Sequence, residues 1–189
     1  MQFAGELTPD EFWAVMDQSD DEVRRTFAER PAFEIRGWPG RAMVSEWSFG
    51  SGARSIMFLP ADWNDEAFPN LDVLPRVDVL VDATEPRPVV AERMAFEAFE
   101  RTGQPPRLPV PDAPTPDAVI EVNVDGVAEP FELWSTGHRA RAAGRVAGVT
   151  IVIEATGHAI EEVSLVRVLD IEGLLAERRR WIRELRGEA

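Results

Sequence analysis

The chain has 189 residues, 44% of them hydrophobic, with 34 acids against 20 basic residues and a net charge of −14. It has no cysteine, which excludes disulfides, thiolate metal sites and cysteine nucleophiles. A field this acidic repels phosphate backbones, so no nucleic-acid partner is expected.

Every basic residue is arginine, and lysine and tyrosine are both absent. A GC-rich genome accounts for that bias more simply than selection against modifiable lysines. The charge is uneven: residues 58–129 carry 15 acids and 5 arginines, a net of −10, whereas residues 131–189 carry 9 of each. The opening MQFAGELTPDEF has no basic segment followed by an apolar run, so no secretory leader is expected. The strongest apolar run, VTIVI, is far too short to span a bilayer. A soluble, cytoplasmic protein with no membrane partner is the expectation.

In chain order, Thr8, Pro9 and Glu11 spell a helix start, with Thr8 as cap and Glu11 completing a capping box. Leu7 and Phe12 are spaced for a hydrophobic staple. Ser19 and Glu22 repeat the box, which predicts a second short helix to Arg30 and hence an N-terminal helical pair. FEIRG, RAMVSEWSF and ARSIMFL then read as strands, separated by the turn residues of WPG and GSG. RVDVLVDA reads as a fourth strand, and PRPVVAERMAFEAFER as a helix ending at Gly103.

Six prolines between 103 and 116 mark the clearest boundary. They suggest a first β-rich unit over 1–102, a linker over 103–117 and a second unit over 118–189. Beyond the linker, Asp125-Gly126 signals a hairpin, and Pro130 suggests an edge strand. RARAAGRVA, VTIVIEA and EVSLVRVL follow as strands. Asp170 caps a last helix with Ile171, Leu174, Leu175, Arg178, Ile182 and Leu185 along one stripe. Its arginine-rich ERRRWIREL suits a helix C-terminus and could dock on the acidic half.

The halves resemble each other. FEIRGWPGRA (33–42) and FELWSTGHRA (131–140) match at five positions with a constant offset of 98. The expected fold is therefore α+β, a mostly antiparallel sheet built from two ββββα pseudo-repeats.

Three groups of residues are candidates for function. The two histidines, His138 and His158, each follow Thr-Gly, and a strand hairpin between them would bring them to one side. A metal or hydrolytic site would need a third group, and Glu154 is nearest in sequence. The simpler reading is two turn histidines. The second group is the segment PADWNDEAFPNLDVLP, where Trp63 and Phe68 lie among Asp62, Asp65, Glu66 and Asp72. Aromatics among charges suit a recognition loop, although the rings could equally tuck into the core. Trp38 in GWPG poses the same choice between capping the sheet edge and projecting. No Walker sequence, nucleophile elbow or regular calcium loop is present, so no cofactor is implied.

The reading these features favour is a non-enzymatic acidic binding protein, an immunity protein, inhibitor or chaperone, that recognises a basic protein partner. The alternative is a small hydrolase or metal-dependent enzyme using His138, His158 and Glu154. Pairing through an exposed sheet edge would add a homodimer.

Overall fold

The structure, a computed structural model, describes residues 8–46, 54–60, 75–104, 110, 113–137 and 139–188. Helix α1 (Pro9–Glu29) opens with the capping box: the Thr8 hydroxyl accepts from the Glu11 N–H, and Glu11 accepts from the Thr8 N–H. The helix does not break at Ser19, so the expected helical pair is one helix. The Ser19 hydroxyl does not cap; it accepts from Arg178 Nη2 at 2.9 Å. Beside it, Asp20 is fully buried and binds both Arg178 and Arg179. Tertiary pairing thus claims the residues that look like a cap.

Strands β1 (Phe33–Ile35), β2 (Arg41–Glu46), β3 (Arg54–Leu59) and β4 (Arg76–Asp82) precede α2 (Pro86–Thr102). Gly103 closes α2 with φ of 67°, as a left-handed cap requires. Strands β5 (Ala118–Val124), β6 (Val127–Thr136), β7 (Arg139–Val146), β8 (Val149–Thr156) and β9 (Ser164–Arg167) precede α3 (Ile171–Arg186). Asp125 and Gly126 both take positive φ in the β5–β6 turn, as a type I′ hairpin demands.

All nine strands form one sheet in the order β1-β9-β5-β6-β7-β8-β4-β3-β2, antiparallel except for β5 with β9. The fold is therefore α+β with a mostly antiparallel sheet. The sheet rolls so far that β1 at one edge touches β3 and β4 near the other, giving a nearly closed barrel. The pairings do not repeat between the halves. Under the pseudo-repeat, β1 and β2 would pair as β6 and β7 do; instead β1 pairs with β9, and β2 with β3. Pro130 does not mark an edge strand, because β6 lies between β5 and β7. It is tolerated because β7 pairs only with Glu132–Thr136, leaving Pro130 beyond the end of that ladder.

The inner face carries the main core: Phe33, Ile56, Phe58, Val77, Val79, Phe131, Ile151, Ile153 and Leu165, all essentially buried. Each such side chain contributes about 1.5–3 kcal/mol on leaving water. Val44 of β2 joins Val23 of α1 and Leu175 of α3, and Phe27 and Leu174 touch both clusters, so α1 and α3 close the core beside β2. Helix α2 covers the outer face, where Val89 and Val90 meet Leu80, Val152 and Trp134. The Trp134 indole donates to the Pro114 carbonyl at 2.7 Å, laying that part of the proline-rich segment along β6. Among the described residues, the arginines of α3 dock on α1, with Arg178 on Asp20 and Arg179 on Asp17 and Asp20. Among the described residues, no helix is long and apolar enough to cross a membrane.

Gly144 packs directly against the core, since a Cβ there would lie 2.6 Å from the Phe131 ring. Gly144→Ala is expected to destabilise the fold by about 1–3 kcal/mol through overpacking, read as a lower urea midpoint with unchanged slope.

Candidate functional site

Strand register gathers several turns at one end of the barrel. Leu59 is opposite Arg41, and Thr156 is opposite both Arg76 and Arg139. The β1–β2 turn, the start of β4, the β6–β7 turn and the turn after β8 therefore share that end.

Trp38 organises this corner. Gly37, with φ of 69°, turns the chain out of β1. The indole then donates to the Leu59 carbonyl at 2.8 Å and meets Phe58 edge-on at 5.8 Å. His158 sits edge-on to the same indole at 5.1 Å. Gly40 permits the approach, because a Cβ there would lie 1.8 Å from the Leu59 oxygen. On the other side, Gly157 lies against Pro75 with φ of 68°. Segment 61–74 joins Pro60 to Pro75, so both of its stems are held at this corner. A small cleft of about 180 Å³ opens there, lined by Arg36, Trp38, Pro39, His158, Glu162 and Val163.

The structure thus brings Trp38 and His158 together. Trp38 caps the end of the sheet and is half-buried, while His158 is exposed. His138, Asp62, Trp63, Asp65, Glu66, Phe68 and Asp72 lie outside the described residues, as do Leu7, Trp47 and Phe49.

Glu154 does not join His158. It lies on the outer face of β8 beneath α2, where Arg93 Nε donates to it at 3.1 Å and Arg141 holds its other oxygen. Arg141 also binds Glu97, and Arg139 lies 3.6 Å from the same carboxylate. Asp78 of β4 is the direct cross-strand partner of Glu154 and is paired with Arg76 at 3.1 Å. Two buried acids side by side repel. Burial alone would raise the Glu154 pKa, but Arg93 and Arg141 outweigh it and hold it at about 2. Asp78 moves the other way, pushed up to about 6 by burial and by Glu154, with Arg76 only partly compensating.

Within this charge network both oxygens of Glu154 are thus committed to guanidinium groups. Among the described residues, no group of three or more His, Asp or Glu side chains is arranged to hold a metal. Sequence reasoning missed the network. Its signal was present in the alternating Arg139 and Arg141 of RARA, and in Arg93 and Glu97 one helical turn apart.

Comparison with family models, with curated proteins and with solved structures finds no match for this chain.

Glu154→Gln should cost about 3–5 kcal/mol, since it leaves two buried guanidinium groups without their carboxylate. The stability Glu154 contributes is present above the unfolded value of 4.5 and lost as pH falls toward 2. Asp78 acts in the opposite sense. Its ionisation costs nothing below 3.8, and the cost reaches its full extent as pH rises past about 6. Asp78→Asn is therefore expected to stabilise the protein by about 1–3 kcal/mol near pH 8 and to make little difference at about pH 4. Paired thermal melts at the two pH values check this.

Proposed function

We propose that this chain is a non-enzymatic binding protein that recognises a basic protein partner. Segment 61–74 and the corner formed by Trp38 and His158 make the contact. The observation that carries this reading is the anchoring of both stems of the segment. Leu59 and Pro60 are held by Trp38 and Gly40, and Pro75 lies against Gly157.

A segment whose two ends are fixed on a rigid sheet loses less conformational entropy when it binds. Its acids, Asp62, Asp65, Glu66 and Asp72, provide charge complementary to a basic surface and speed encounter. Trp63 and Phe68 provide the aromatic anchors on which interface energy concentrates. An immunity protein, an inhibitor or a secretion chaperone in the cytoplasm fits this chemistry. The alternative enzyme built on His138, His158 and Glu154 draws no support from the geometry, because Glu154 faces α2 and is neutralised there.

The test is capture from host lysate at low and high salt, with the unaltered chain and the Asp62→Asn/Asp65→Asn/Glu66→Gln variant in parallel. The expected result is a basic protein retained at low salt, released at high salt and lost with the variant, whose melting temperature is unchanged. Equal retention by the variant would refute the electrostatic part of the proposal. Trp63→Ala should weaken the same complex by about 2 kcal/mol or more, read as a faster off-rate.

A further inference from the structure

The other end of β1 and β9, away from Trp38, holds a second recess. A cleft of about 440 Å³ lies where the last turn of α1 meets the connection from β9 to α3. That volume is in the range of small-molecule sites. Its apolar lining comes from Phe27, Val168, Leu169 and Ile171. The two segments that form it are tied together, since the Val168 N–H donates to the Ala32 carbonyl at 2.9 Å. Leu169 stands at the mouth with 91% of its surface exposed. A large aliphatic side chain so exposed beside a cleft is where an apolar ligand would gain most from contact.

The charges point to the ligand's other end. Arg24, Arg30 and Arg167 all line the cleft. Arg24 is committed to Asp21 and Glu172. Arg30 and Arg167 have no acidic partner among the described residues, although the chain carries 34 acids and most of its described arginines are ion-paired. A guanidinium offers a planar fork of donors that fits a carboxylate. Glu29 on the lining and Glu172 behind Arg24 would repel a dianion, which favours a singly charged head over a phosphate.

We propose that this cleft binds a small aliphatic carboxylate. Its head lies between Arg30 and Arg167, and its tail runs along Phe27, Val168, Leu169 and Ile171. The site is separate from the corner at Trp38 and does not depend on the reading of segment 61–74.

Calorimetric titration of the full chain with sodium octanoate, and separately with 1-octanol, tests the proposal. Octanoate should saturate at one equivalent and bind at least about ten-fold more tightly than the alcohol, which keeps the tail but lacks the charge. Arg30→Gln and Arg167→Gln should each weaken octanoate by about five- to ten-fold and leave the alcohol unchanged. Leu169→Ala should weaken both. Failure of octanoate to saturate, equal binding of the alcohol, or indifference of octanoate to both arginine substitutions would overturn it. Should a substitution lower the melting temperature, the ratio of octanoate to octanol affinity in the unaltered chain decides.

Discussion

The antiparallel pairing of β4 with β8 is the seam on which the rest of the structure depends. It joins residues 76–82 to residues 150–156, and so welds two halves of the chain into one sheet. On its inner face, Val77, Val79 and Val81 meet Ile151, Ile153 and Ala155 and form the centre of the core. On its outer face the same register sets Asp78 directly beside Glu154. That juxtaposition is unfavourable by itself, and the surrounding arginines of α2, β4 and β7 are what make it tolerable. The position of α2 follows from this seam twice over, through the apolar contacts of Val89 and Val90 and through Arg93.

The second long-range pairing, β1 with β9, rolls the sheet and gives the barrel two different ends. One end collects turns around Trp38, with the acidic, aromatic segment held at both stems. The other leaves a cleft between α1 and α3 with an apolar lining and three arginines, one of them paired with acids. The interior between them is filled by aromatic and branched side chains. The charge network under α2 joins four arginines to three acids and is largely buried, which makes it a feature of stability and pH response.

Local signals are legible where a few neighbouring residues decide the outcome. The Thr8 capping box, the Asp125-Gly126 hairpin, the Gly103 stop and the β4 strand all depend on interactions within a few residues. Signals failed where a distant partner competes. Ser19 and Glu22 resemble a cap, but Arg178 of α3 takes the Ser19 hydroxyl. FEIRG resembles FELWS, but β1 leaves its sequence neighbours to pair with β9. Pro130 looks like an edge residue, yet it is only locally unpaired within an internal strand. Of the candidate site residues, Trp38 and His158 share a turn-rich corner, whereas Glu154, four residues from His158, lies on the other side of the sheet wall.

The sequence by itself determined the kinds and most of the boundaries of the elements, the α+β class and the uneven charge, because propensity, capping and period are short-range properties. Only the tertiary structure decided which strands pair, which acids are neutralised and which residues share a rim. Those outcomes depend on loop closure and burial across 70 or more residues, as when Asp78 meets Glu154. No local pattern encodes such a meeting, because the free energy that enforces it is gained only once the whole sheet has formed.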